Sequence, residues 1–236
     1  CMNTKSILIL SDTHFPYQHL NYFEWIKKIK NHIKPTRVIH IGDVIDNASI
    51  MVERPADPNV ESPIFELASA KKEIRKLEKI FPKMDILFGN HDLRIMRRAE
   101  RFGIPRSMLK DLNSIYEIKS NWRWHDKLIV QLPNKTNVFF THNFKNNILA
   151  SSREIGCSFV CGHFHTQANI NYWSSPTALN FAMCVGSSIN PKAASMRYQK
   201  NFIKRPIISV GAILNNSQPV IYAMPLNDRG EWTGAI

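Results

Sequence analysis

The chain has 236 residues, 44% of them hydrophobic and 21% charged, an ordinary globular composition that excludes a disordered, collagenous or coiled-coil chain. Lys and Arg number 31 against 19 Asp and Glu, and the formal net charge of +12 favours an anionic partner: nucleic acid, nucleotide or acidic lipid. No apolar run reaches about 18 residues, so no transmembrane helix is expected.

Met2 is a natural start, so Cys1 is expected to be an added residue. The apolar stretch that follows meets Ser11 and Asp12 too early for a signal peptide, and a cytoplasmic location is expected. Residues 6–10, 37–41, 84–88, 137–140 and 158–161 are short, apolar, often β-branched runs, as strands buried on both faces are. Helical patterns lie between them. Residues 22–33 carry Phe23, Ile26, Ile29 and Ile33, and residues 63–80 carry Ile64, Leu67, Ile74, Leu77 and Ile80. Residues 146–155 form a weaker pattern. Residues 47–62 hold Pro55 and Pro58 without periodicity and read as a loop or cap beside a site. Trp122 and Trp124 are expected to pack in a hairpin. Residues 168–172, 178–185, 206–214 and 219–224 read as strands without a long helix between them, an antiparallel half of the same core. No repeat or linker interrupts the chain, so a single domain over residues 2–236 is expected. Cys157, Cys161 and Cys184 are odd in number and form no CxxC pair, which fits reduced structural thiols.

The residues closing the strand-like runs form a chemical set. They are Asp12-Thr13-His14, Gly42-Asp43-Val44-Ile45-Asp46, Gly89-Asn90-His91-Asp92, Thr141-His142 and Gly162-His163-Phe164-His165. Open α/β sheets place their sites beyond the carboxyl ends of the strands. Imidazole and carboxylate donors without thiolate suit Mn, Fe or Zn better than Ca or a structural zinc. In an extended segment residues i and i+2 point the same way, so Asp12 and His14 are expected to reach one metal together, and likewise His163 and His165. Gly42, Gly89 and Gly162 are expected to let the chain turn sharply off each strand.

These blocks resemble those of the calcineurin-like metallophosphoesterases: D-x-H, G-D-x-x-D, G-N-H-D/E, H and G-H-x-H, all present in order over about residues 6–166. The layout is similar to the small phage and bacterial members. The resemblance implies a two-sheet mixed β sandwich flanked by helices. It also implies two divalent metal ions, Mn first, with Fe, Zn or Ni as alternatives. By position, Asp12, His14 and His165 would hold one ion, Asn90, His142 and His163 the other, and Asp43 would bridge them. His91 would donate a proton to the leaving oxygen, and Asp46 or Asp92 would orient a histidine. The protein serine/threonine phosphatases of the superfamily carry arginines where Asn47 and Phe88 stand here, and those arginines grip a terminal phosphate. Their loss turns the expectation toward phosphodiesters of nucleic acids or nucleotides. A phosphomonoesterase acting on nucleotides or proteins is the alternative, and a nucleic-acid-binding module on a phosphoesterase scaffold is a second. No membrane partner is expected.

Other polar residues have two readings each. His40, on a strand, is read as a satisfied structural histidine. His19, His32 and His125 are read as surface residues, with His19 also near enough to the first block to approach substrate. Arg94, Arg97, Arg98 and Arg101 follow Asp92 at helical spacing. They form either a phosphate track, with Arg94 and Arg98 binding substrate, or a solvated helix face. Residues 192–205 hold Lys192, Arg197, Lys200, Lys204 and Arg205 around Tyr198 and Phe202, which suits single-stranded nucleic acid or a plain solvated loop.

Overall fold

The structure, a computed structural model, describes residues 6–51, 62–191 and 205–236. Four strands run parallel in one sheet: β1 (Ile7–Leu10), β2 (Arg37–His40), β3 (Lys83–Leu87) and β4 (Asn121–His125). Helix α1 (Tyr22–Ile33) joins β1 to β2, and α2 (Pro63–Ile80) joins β2 to β3. Helices α3 (Arg94–Arg101) and α4 (Leu112–Tyr116) lie between β3 and β4. The second sheet holds β5 (Leu128–Gln131), β6 (Asn137–Phe140), β7 (Ser158–Cys161), β8 (Asn169–Ser174) and β9 (Leu179–Cys184), in the order β5-β6-β7-β9-β8, with α5 (Ile148–Ile155) between β6 and β7. The chain then returns to the first sheet as β10 (Ser209–Leu214) and β11 (Gln218–Ala223), β10 pairing antiparallel with β1.

Side-chain alternation sorts the core into layers. Ile7 and Ile9 of β1, Ile39 of β2 and Leu87 of β3 meet Val138, Val160, Phe181 and Met183 of the second sheet in the space between the sheets. Leu8, Leu10, Val38 and Ile86 point the other way, onto Trp25, Ile26 and Ile29 of α1 and Ile74 and Leu77 of α2. Phe159, Cys161, Ala182 and Cys184 cover the outer face of the second sheet under Ile148 of α5. The result is the α/β, two-sheet mixed sandwich flanked by helices that the resemblance implied. No helix among the described residues is long and apolar enough to cross a membrane.

Helix ends follow local chemistry. Pro63 opens α2, where its missing N–H is harmless, and the Asn147 side chain accepts the Ala150 N–H at 3.0 Å to cap α5. In α2 the buried stripe runs through Glu66, Ala70, Ile74 and Leu77, and Ile64 lies outside it at 79% exposed.

Two expectations are corrected. Trp122 and Trp124 do pack, through indole bonds to the Phe81 carbonyl and Asn113 Oδ1, but not in a hairpin. Their strand β4 pairs parallel with β3, Met84 opposite Trp122, while β5 pairs with β6, so the 121–131 segment crosses between sheets. The tail strands do not form one antiparallel half either. β8 and β9 join the second sheet, with β9 parallel to β7, and β10 and β11 extend the first. Hydropathy alone could not divide them, because each strand is apolar toward whichever sheet it meets.

A trough of about 610 Å³ crosses the end of the first sheet where β1, β2 and β3 begin, opposite to where they finish. The Asp85 carboxylate in its lining is paired. Arg37 donates to Asp85 through Nε at 3.0 Å and Nη2 at 2.7 Å, and His125 Nε2 lies 3.0 Å from the same carboxylate.

The layering makes a stability prediction. Ile9→Ala empties part of the inter-sheet core and should lower unfolding free energy by about 3 kcal/mol in urea titration. Ile129→Ala, at a side chain 60% exposed, should change it by less than about 0.5 kcal/mol. Equal losses at the two positions would contradict this placement of the core.

Candidate metal centre

The finishing ends of β1, β2 and β3 meet those of β6 and β7, and all five polar blocks converge there. The turns interlock through the backbone. Asp12 N donates to the Gly42 carbonyl at 3.1 Å, His14 N to that of Asp43 at 3.0 Å, and Gly162 N to that of His142 at 3.2 Å. Such packing tolerates no side chain at residue 89, where an added Cβ would lie 2.1 Å from Asp43 N and Asp43 Oδ1. Gly42 has φ +99°, a turn conformation that L side chains avoid. Only Gly42 of the three glycines therefore serves the sharp turn expected; Gly89, like Gly162, provides close approach.

The backbone also corrects the reasoning from extended segments. Asp12 (φ 47°), His14 (φ 45°), Asp43 (φ 53°), Asn47 (φ 51°) and His163 (φ 68°) all sit in the left-handed region. This conformation is uncommon for such residues and is held here by surrounding hydrogen bonds. Asp12 and His14 still converge, but His163 and His165 part company. His165 joins Asp12, His14 and Asp43 in one group able to bind a metal, and His163 joins Asp43 and His142 in another.

In the first group, His14 Nε2 and His165 Nε2 face each other at 3.1 Å, with Asp12 Oδ1 3.1 Å from His165 Nε2. In the second, Asn90 Oδ1 lies 2.9 Å from His142 Nε2 and 3.0 Å from His163 Nδ1. Asp43 sits between the groups. Its Oδ1 accepts the His91 N–H at 2.7 Å. Its Oδ2 is buried and accepts no hydrogen bond, though it lies 3.2 Å from His142 Nε2 and 3.7 Å from His14 Nε2. A buried carboxylate oxygen without a donor, ringed by imidazole nitrogens, fits a shared metal ligand.

A second layer aims these donors. His14 Nδ1 donates to Asp46 Oδ1 at 2.7 Å, and His142 Nδ1 donates to the Ile41 carbonyl at 2.9 Å, which leaves each Nε2 for the centre. Sequence left open whether Asp46 or Asp92 orients a histidine, and Asp46 does. Asp92 instead accepts the backbone N–H groups of Asp43 (2.8 Å), Val44 (3.0 Å) and Gly89 (3.0 Å), tying two turns together. The Ser11 hydroxyl bonds Asp12 Oδ2, and the Glu66 carboxylate holds Ala48 N at 2.7 Å and Ser49 N at 2.9 Å. Neither Ser11 nor Glu66 carries a local sequence signal for these roles.

His91 has a defined tautomer. Its Nδ1 donates to the Asp46 carbonyl at 2.7 Å, and its Nε2 accepts from Arg94 Nη2 at 3.1 Å, since a guanidinium only donates. Arg94 Nη1 also donates to the Asp46 carbonyl at 2.7 Å. Arg94 is thus buried against the site, which corrects the reading of one continuous solvated stripe; Arg97, Arg98 and Arg101 are exposed. Asn47 donates to the His91 carbonyl at 2.9 Å, and Phe88 stacks on Trp124 at 5.3 Å, so neither position offers a cation.

His40 is satisfied as expected. Gly42 N donates to its Nδ1 at 3.1 Å, and its Nε2 donates to Thr13 Oγ1, also at 3.1 Å. His19 is not a surface residue: it is buried, and its Nε2 donates to the Gly230 carbonyl at 2.9 Å. The loop expected at 47–62 begins as a short 3-10 turn, Ala48–Ile50, and residues 52–61 lie outside the described residues. So do Lys192, Arg197, Lys200, Lys204, Tyr198 and Phe202 of the basic run, and Cys1.

The electrostatics are those of a compensated buried cluster. Burial would raise the Asp12 and Asp43 carboxyls, but the imidazoles of His14 and His165 at Asp12, and of His142 and His91 at Asp43, hold both well below the usual range. Burial would lower His14 and His142, but Asp12 and Asp46 raise His14 to about 10, and Asp43 raises His142 to about 9. A cation can replace those imidazole protons, because ligation needs neutral imidazole and ionised carboxylate.

Buried imidazole and carboxylate donors at the strand ends of a two-sheet sandwich define a class, the metal-binding phosphoesterase scaffolds. The family model for the calcineurin-like phosphoesterases matches residues 5–186, and the chain belongs to this family. No curated protein sequence matches it. Its structure is similar to that of Yfce, a phosphoesterase from E. coli, at 15% identity over 97% of this chain and 96% of that one, with a TM-score of 0.51. It is also similar to Vps29 from Chaetomium thermophilum, at 12% identity over 97% and 93% of the two chains, with a TM-score of 0.50. At these identities the likeness is one of fold.

Burial pushes His40 down to about 3, against an ordinary value of 6.5. The unfolded chain takes up a proton there below pH 6.5 and the folded chain does not, so His40 removes stability as pH falls through that range. The unfolding free energy of wild type minus that of His40→Gln, from urea titrations, should drop by about 2 kcal/mol between pH 7 and pH 5. A constant difference would mean that His40 protonates while folded.

Proposed function

We propose that this protein is a phosphodiesterase that uses two divalent metal ions, Mn first, to hydrolyse diesters in nucleic acids or nucleotides. The observation that carries the reading is Asp43 Oδ2, buried without a hydrogen-bond donor between two groups of imidazoles. Asp12, His14 and His165 would hold one ion, Asn90, His142 and His163 the other, and Asp43 both. Such ions, when bound, activate water and neutralise charge on the phosphoryl oxygens.

The chain's own groups do the rest. Asp46 holds His14 by Nδ1 and fixes the His91 ring through its backbone carbonyl. His91 Nε2, 4.0 Å from Asp43 Oδ2, would take up a proton from solvent and give it to the leaving oxygen. To carry that proton it must exchange its Arg94 contact, and a substrate phosphate is the partner that draws a guanidinium away. Arg94 thus becomes a substrate-binding group as His91 becomes an acid. Arg98, anchored to the Met51 carbonyl at 3.0 Å, would lie further along the substrate.

Asn47 and Phe88 favour diesters, because the dianion grip of a terminal phosphate is absent from both positions. The runner-up, a phosphomonoesterase, draws on Arg94, a buried cation 3.1 Å from His91. A binding module without catalysis would not need this complete donor set. Cys157, Cys161 and Cys184 are free thiols, which suits a reducing, cytoplasmic location.

With Mn supplied, wild type should turn over bis-p-nitrophenyl phosphate in preference to p-nitrophenyl phosphate. His91→Ala should lose about 100- to 10,000-fold in kcat while keeping its metal content by elemental analysis. Asp43→Asn should lose both metal and activity. Turnover of the monoester alone would install the runner-up, and full activity in His91→Ala would remove the acid assignment.

A further inference from the structure

Helix α3 starts two residues after the Gly89–Asp92 turn, so its first end abuts the candidate metal centre, and its eight residues lead away for about 12 Å. Arg94 turns inward, while Arg97, Arg98 and Arg101 are exposed. The single acid between Arg94 and Lys110 is Glu100, which pairs with Arg106 at 2.7 Å. Past the end of α3, three large apolar side chains stand in solvent: Phe102, 72% exposed, Ile104, 43% exposed, and Met108, 77% exposed. The Arg98 guanidinium lies 5.8 Å over the Phe102 ring and is itself tethered to the Met51 carbonyl, so the ring is braced while most of it remains open.

A cationic helix face ending in an open aromatic ring matches one ligand chemistry. Phosphates fit guanidinium groups, and an aromatic ring stacks on a base only where that base is unpaired, because a duplex keeps its base faces covered. We infer that α3 and the turn after it form a track for single-stranded nucleic acid. Arg97 and Arg98 hold backbone phosphates, Phe102 stacks on an unpaired base, and the strand runs along α3 into the metal centre. The inference rests on the diester reading above and narrows it from nucleotides in general to a polymer.

The test is fluorescence anisotropy with a labelled single-stranded oligonucleotide of about 12 nucleotides, in EDTA, so that binding does not depend on turnover. Affinity should fall with salt at a slope of about −0.7 per phosphate contact, and Arg97→Gln should reduce the slope by about 0.7. Phe102→Ala should weaken binding about tenfold, and Phe102→Trp should restore it. A duplex of equal length should bind more weakly than the single strand. If Phe102→Ala and Arg97→Gln bind as wild type does while wild type still hydrolyses bis-p-nitrophenyl phosphate, the track is wrong and the diesterase reading stands. If both variants lose binding as expected while wild type hydrolyses no diester, the track stands and the diesterase reading falls. Equal binding of the duplex would overturn the single-strand assignment.

Discussion

A carboxylate buried as deeply as that of Asp43 is unstable unless positive charge or donors surround it, because desolvating an ion costs several kcal/mol. The strand ends answer this need. His142, His14 and His91 all come within 4.0 Å of Asp43 Oδ2, and the His91 N–H bonds Oδ1. Those groups arrive on separate turns, so the turns must pack closer than side chains normally allow. Gly89 permits that approach, and five non-glycine residues accept left-handed backbone to complete it. The strain stays in place because each turn is bonded to its neighbours.

The next layer out consists of charges that hold backbone. Asp92 bridges the 42–46 and 89–92 turns, Glu66 reaches across from α2 to the 48–49 amides, and Arg94 clasps the Asp46 carbonyl. These contacts are local in space and distant in sequence. They hold the start of the loop after β2 against the site, and Arg94 touches both that loop and His91. Positive charge then continues along α3, from a buried arginine to exposed ones.

Much of this was readable from residue order. Strands 137–140 and 158–161 and helices 22–33 and 63–80 fall where their patterns put them, because an apolar run between polar stops has few alternatives. All five polar blocks reach one place, since each ends a strand of the same orientation. Spacing treats a segment as extended, whereas Asp12, His14 and His163 sit in left-handed turns, so His163 and His165 diverge into different groups. Trp122 and Trp124 carry no mark that assigns their strand to the first sheet rather than to a hairpin.

By itself, then, the sequence determined which residue types close each strand, the layered α/β pattern and the resemblance those blocks carry. Only the tertiary structure decided that Asp46 rather than Asp92 orients His14, that His19 is buried, that Arg94 faces inward while Arg97 faces out, and which sheet takes each tail strand. The physical reason is the same in each case. Local pattern sets what a segment prefers, but a side chain's partner depends on which other segment packs against it, and such contacts span tens of residues.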